Sequence, residues 1–301
     1  MSAATTRAGQ RRPHTLRGVT RMGLRGQRTL GRVARYLFLT VTLAVFLLPV
    51  YRLFIMSLMD VPDAYAVPVR WWPTVVRWIN YVDIWTKTNI ARSALNSTIL
   101  TVGSMVGVFL SAPLVAFGFA RLRFAGRDAL FVVVLATMML PGEVTLIPLY
   151  IIYKQIGWLD TYLPFIVPAF LGGGAFYIFL LSQFMMTIPG ELEDAARMDG
   201  CNTLRVFASI FLPLSKPALA TVGIFTFIGG WNNYLGPLIF LSSQTKMPLP
   251  VVLAAYRDLE GGFHGNLVMS AACAAVLPCL AIFFIFQEYM VGGIALTGIK
   301  G

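Results

Sequence analysis

Apolar runs separated by short polar stretches organise this chain. Six runs of nearly uncharged residues cover approximately 36–59, 94–119, 129–152, 162–188, 217–241 and 267–287. A hydrocarbon core about 30 Å thick takes roughly 20 apolar helical residues to cross, so each run is long enough for one membrane span. Lipid cannot satisfy open backbone groups, and the runs lack the alternation of barrel strands. The pattern predicts an all-α membrane protein with six transmembrane helices. Composition agrees: 57% of residues are hydrophobic and 12% charged, against about a quarter charged in an average soluble domain. Mean hydropathy is +0.73. The first run has a rival reading as a signal peptide, with "AYA" at 64–66 as the cleavage site. Its length, beyond the ~7–15 residues of a signal core, and the long basic region before it argue against that.

Charge sets the expected orientation. Residues 1–35 carry nine arginines (7, 11, 12, 17, 21, 25, 28, 32 and 35) and no acidic residue, which places the N-terminus on the cytoplasmic side. Six spans return the C-terminus to that side, and Arg121, Arg123 and Arg127 follow the second span there. Arg70, Arg77, Lys87 and Arg92 fall outside, accompanied by Asp60, Asp63 and Asp83. The arm reads as a mostly disordered basic tail, with room for a surface helix near the membrane. Lacking aromatic interleaving and lying beside a span, it suits anionic lipid or topology control and not nucleic acid. The domains expected are therefore the arm, 1–35, and a six-helix transmembrane domain, 36–301.

The chemistry-bearing residues are sparse. Cys273 and Cys279 lie six apart on one predicted helix and Cys201 lies elsewhere, so no disulfide is expected. His14 and His264 lack ligand partners, so no metal site is expected. A Gly-Lys-Ser/Thr phosphate loop is absent. No cofactor is expected on this chain, and no enzymatic constellation gathers in the spans.

The polar insert at 189–216 departs from the apolar pattern. Pro189 suits a first turn, and Glu191, Glu193 and Asp194 suit the positive end of a helix dipole. Gly200 is a natural stop, Asn202 caps a second helix, and Pro213 with Pro217 marks the return to the membrane. Leu192, Ala195, Ala196 and Asp199 share a face by spacing, a small-residue surface suited to docking. A plain connector is the alternative from spacing alone.

"DAARMDG", nine residues, then "IFLP" resembles the signature of the membrane subunits of bacterial ABC importers: Glu-Ala-Ala, three residues, Gly, nine residues, Ile, one residue, Leu-Pro. Asp194, Ala195, Ala196, Gly200, Ile210, Leu212 and Pro213 occupy those positions, with Asp194 replacing the usual Glu. "ALNSTILTV" at Ala94, "IPLYIIYKQIGWLDTYLPFIVP" at Ile147, "WNNYLGPLIFL" at Trp231 and the ending "VGGIALTGIKG" are similar to the carbohydrate branch, the second membrane subunit of maltose and glycerol-3-phosphate importers. The resemblance covers roughly 36–301. It implies a six-helix type I importer fold with a coupling helix at Glu191, a second homologous permease, two ATP-binding subunits and an extracytoplasmic substrate-binding protein. ATP and Mg are then held by the partners, in the cytoplasmic membrane of a bacterium.

Helix breakers inside spans point to a pathway. The third run holds Pro141, Gly142 and Pro148 around Glu143; the fifth holds Gly229, Gly230 and Gly236 around Trp231, Asn232, Asn233 and Tyr234. At ~1.5 Å per residue Glu143 and Trp231 reach similar depths, so they are expected to line one cavity, an aromatic ring beside amides suiting a sugar. Packing or an interfacial belt is the competing reading for Trp231 and Tyr234. Glu143 is open to three roles: a hydroxyl partner, a helix brace, or the proton site of an ion-coupled secondary transporter. Gly172–Gly174 suit close helix packing, Arg52 snorkels to water, and Trp71 and Trp72 suit the interface or a partner chain.

Overall fold

The computed structural model describes residues 24–259 and 265–298, with side chains described over 31–255 and 265–287. The long elements are helices α1 (Leu24–Ser57), α2 (Ile90–Arg121), α3 (Arg127–Thr137), α4 (Gly142–Gln155), α5 (Ala175–Met186), α6 (Glu191–Met198), α7 (Lys216–Trp231), α8 (Leu249–Leu259) and α9 (Gly265–Gly298). The described residues contain no strand. His264 and residues 1–23 of the arm lie outside the described residues. The remainder of the arm, where the sequence left room for a helix near the membrane, is helical from Leu24 and runs without interruption into the first apolar run.

Among the described residues, four segments are long and apolar enough to cross a membrane: Gly31–Ser57, Ile90–Arg121, Leu163–Met186 and Gly265–Gln287. Two bent pairs bring this to six if each is one span. The protein is thus an all-α, multi-pass membrane protein, but three of the expected spans are not single rods. The third turns by 101° between α3 and α4. Pro141, extended at φ −59° and ψ 133°, stands immediately before α4, because a proline cannot supply the amide that a continuing helix needs. The fourth passes through Leu163–Ile166 and a 3-10 turn at Val167–Leu171, then breaks before α5. Gly172, Gly173 and Gly174 there have φ of +101°, +69° and +121°. A Cβ on Gly173 would stand 2.7 Å from Val108 Cγ2. The close packing expected of this triplet is present, together with a backbone break that packing alone does not need. In the fifth, α7 ends at Trp231 and a short helix, Leu235–Phe240, follows; α7 is itself set at 75° to the preceding Thr203–Leu214 segment.

The residues before Arg52 and those from Arg52 onward form separate compact units. Within the second, α2 is the hub, packing against α5, the Val167–Leu171 turn, α7 and α8, while α9 packs on α7 and α8. One apolar core joins Val108, Phe117, Leu181, Met185, Phe207, Phe211 and Val222. A second joins Ile84, Ile90, Trp231, Leu249 and Ala271. The first core supports the polar insert, and the second supports the opposite end of α2.

Candidate functional site

The polar insert is built by local signals that the sequence spells out. Glu191, Glu193 and Asp194 occupy the first turn of α6, where carboxylates meet the positive end of the dipole. Glu193 accepts from Arg197 at 2.7 Å. The helix begins at Glu191, two residues past the expected Pro189. It ends in a Schellman closure: Cys201 N–H donates to Ala196 O at 2.9 Å and Gly200 N–H to Arg197 O at 3.0 Å. Gly200, at φ +82°, permits it. Asn202 caps the second segment, its side chain accepting from Arg205 N–H at 2.9 Å. That segment runs from Thr203 through a π turn at Phe207–Phe211 to Leu214.

Packing decides which way α6 faces. Ala196, Cys201, Ile210 and Leu212 lean on the core around Phe207 and Phe211. The helix turns the other way Glu191, Asp194, Ala195 and Met198, which is 84% exposed. Leu204, on the second segment, is 70% exposed. Ala195 and Ala196 therefore do not share an outward face: Ala195 belongs to the exposed surface, and Ala196 is a foot of the helix on the core. Of the other signature positions, Gly200 serves the turn, Ile210 and Leu212 anchor, and Pro213 is exposed near the joint with α7.

Arg121 holds this insert to the bundle. Its Nη2 donates to the carbonyls of Met185, in the last turn of α5, and of Ile188, just past it. Its guanidinium lies 4.7 Å from the Phe211 ring centroid, a cation–π arrangement. The sequence marked Arg121 only as one of several loop cations; its position as the last residue of a long apolar helix was the available signal.

The broken helices border an open pocket of about 420 Å³ lined by Ser104, Glu143, Tyr153, Phe165, Asn233 and Phe240, among others. Glu143 lies in the first turn of α4, where the dipole favours its charge, and has no hydrogen-bond or ion-pair partner among the described residues. Asn233 Oδ1 accepts from Gly236 N–H at 3.3 Å, which directs the amide into the break between α7 and Leu235–Phe240. Ser104 is committed to the Leu100 and Phe165 carbonyls.

Trp231 does not share this cavity. It is buried, its Nε1 donates to Ala275 O at 3.0 Å, and its ring stacks on Phe227 with centroids 5.7 Å apart. The expected pairing of Glu143 with Trp231 is thus replaced by Glu143 with Asn233, and Trp231 is a packing residue. Asn232 turns its Nδ2 back to the Ile228 carbonyl, and Tyr234 is 39% exposed and outside the lining. Depth along two helices was a sound guide to neighbourhood, but the direction of each side chain depended on the break after Trp231. Among the described residues no group of His, Cys, Asp or Glu is arranged to hold a metal ion.

Residues 103–295 match the family described as binding-protein-dependent transport system inner membrane component. The chain is 31% identical over 273 residues to the arabinooligosaccharides transport system permease protein AraQ of Bacillus subtilis, spanning 90% of this chain and 96% of that protein. It is 34% identical over 262 residues to the sn-glycerol-3-phosphate transport system permease protein UgpE of Escherichia coli, spanning 84% and 92%. Among solved structures it superposes on a chain of a bacterial ABC transporter involved in import of the acidic polysaccharide alginate, with a TM-score of 0.78 at 24% identity over 90% of this chain and 99% of that one. The chain belongs to the family of inner membrane components of binding-protein-dependent transport systems and has their type I importer fold. It is a membrane transport subunit, not an enzyme.

Proposed function

We propose that this chain forms half of the translocation pathway of an ATP-driven importer for a sugar or sugar derivative. The other half belongs to a second homologous permease. Two ATP-binding subunits complete the assembly, one of them docking on the insert of this chain, and an extracytoplasmic protein delivers the substrate. ATP and Mg belong to the ATP-binding partners, both termini and the insert face the cytoplasm, and lipid surrounds the spans. The observation that carries the reading is the outward surface of α6: Glu191, Asp194, Ala195 and Met198 stand exposed on a helix whose other side is anchored through Ala196 to the bundle core. A short helix held in this way transmits force to α7 through the 75° joint. Alternating access follows when partners bind two global states unequally. The sugar assignment is supported by AraQ, whose name gives arabinooligosaccharides, and by the alginate importer. The cavity beside Glu143 and Asn233 offers acceptors and donors among apolar walls, as a hydroxylated substrate requires.

Uptake in vesicles carrying the assembled transporter tests this. Labelled oligosaccharide uptake is expected to need ATP and to survive a protonophore when ATP is held constant. Glu143→Gln keeps shape and hydrogen-bonding capacity, so it should retain substantial uptake, while Glu143→Leu should lose more because the pocket then lacks a polar group for a substrate hydroxyl. If the Gln variant and the protonophore each abolish uptake at constant ATP, Glu143 is an ion-coupling site and the importer reading fails.

A further inference from the structure

The loop that follows α1 does not leave the helix; it folds back along it. Arg52, five residues before the helix ends at Ser57, donates through Nη1 to the Arg70 carbonyl, and its guanidinium lies 5.9 Å from the centre of the Trp71 ring. Phe54 and Trp78 meet edge to face with centroids 6.5 Å apart. Arg77 N–H donates to Leu58 O at 2.8 Å. Buried Asn80 donates to Ser57 O and Met59 O, each at 2.9 Å, and Ser57 Oγ is 2.7 Å from Tyr81 Oη. At ~1.5 Å per residue, Arg52 lies roughly 7.5 Å below the end of the helix. Residues 70–81 therefore pack along the last turn and a half of a segment that is itself apolar enough to span the membrane.

This turn is rigidly made. Buried Asp63 accepts from Arg70, from Thr74 Oγ1, and from Thr74 N–H at 2.8 Å. The Thr74 and Arg70 contacts hold its carboxyl below the usual range, so it stays ionised at neutral pH. With its polar groups used on the inner side, the turn leaves Val69, Trp72, Val75, Val76, Trp78 and Ile79 each at least half exposed. In water such a cluster would be costly. At the level where a span gives way to headgroups, tryptophan and aliphatic surface is favourable, and arginines reach toward phosphate.

We infer that residues 69–79 form an interfacial collar that inserts its tryptophans and valines into the headgroup region of the bilayer around the Ser57 end of α1. The partner is the lipid surface, because the contacts with Arg52 and Phe54 place the collar beside the end of the span and not beyond it.

Spin labels at Val75→Cys and Ile79→Cys, with the three native cysteines replaced, test this in the assembled transporter in phosphatidylcholine vesicles. Collision rates with oxygen, which partitions into lipid, are compared with those of a water-soluble nickel chelate. The collar predicts a ratio of oxygen to chelate collisions above one at both sites, against a ratio below one for a label at exposed Gln244. Chelate-dominated collisions at either site place the turn in water and overturn the inference. Exclusion of both reagents at either site overturns it too, in favour of a protein partner covering this surface.

Discussion

At Asp160 a single carboxylate ties together two loops. It accepts from Ser242 N–H at 3.0 Å, Ser243 N–H at 2.9 Å, Ser243 Oγ and Lys246 Nζ. Its own N–H donates to Phe240 O at 2.8 Å. The residue sits at φ 54°, a left-handed conformation that Asp and Asn tolerate better than most. The Ser243 and Ser242 bonds hold the carboxyl well below the ordinary carboxylate range. A depressed native pKa stabilises the fold above the unfolded value and loses that contribution as pH falls through the native one. Asp160→Asn keeps the backbone preference and the shape while removing the charge. It should cost about 1–3 kcal/mol, the worth of hydrogen bonds to a charged group, read as a lower midpoint of thermal unfolding in detergent. The gap between the two proteins should be flat at neutral pH and should narrow only below about pH 4. Equal midpoints at pH 7 would remove this carboxylate from the list of groups that secure the loops. Nothing in the sequence marked Asp160, because Ser242, Ser243 and Lys246 lie more than 80 residues away. Trp231 was misplaced for the same reason, since the Ala275 carbonyl that receives its N–H lies on another helix.

Helices were legible where a local signal fixes them. Gly200, Asn202 and Pro141 each end or begin an element as their backbone chemistry requires. The orientation of α6 was not, because Leu192, Ala195 and Ala196 share a face by spacing, and spacing does not say which of them the core takes and which stay exposed. Contact with the Phe207–Phe211 turn decides it, leaving Ala196 inside and Ala195 outside. The two alanines then separate docking from folding. Ala195→Trp should leave the subunit as stable as before and abolish substrate-stimulated ATP hydrolysis in the reconstituted complex. Ala196→Trp should instead overpack the core, at about 1–3 kcal/mol, and lower the stability of the subunit itself. Full stimulation with Trp at 195 would mean that the ATP-binding partner docks on another surface.

At the scale of the molecule, the six apolar runs correspond among the described residues to four long spans and two bent pairs, the pairs bending at Pro141 and at the polar insert, with a further break at Gly172–Gly174. Hydropathy reads the number of crossings because it measures transfer of residues into lipid; it is blind to angle, which depends on what each half-helix packs against. Orientation is a separate quantity, carried by the arginine bias of the first 35 residues. With the native Cys201, Cys273 and Cys279 replaced, single cysteines at exposed Glu191 and exposed Gln244 report the two expected sides. In intact cells a membrane-impermeant maleimide should label position 244 and leave position 191 untouched until the membrane is opened. Both sites are exposed, so poor access through burial within this chain does not explain a missing label. The reverse pattern would invert the subunit and place α6 away from ATP. Labelling of both in intact cells would mean that one bent pair turns back instead of crossing, since an odd number of crossings between 191 and 244 is what separates them. The 16-residue α7 covers only about 24 Å at 1.5 Å per residue, so Leu235–Phe240 must continue the same crossing for the two positions to lie on opposite sides.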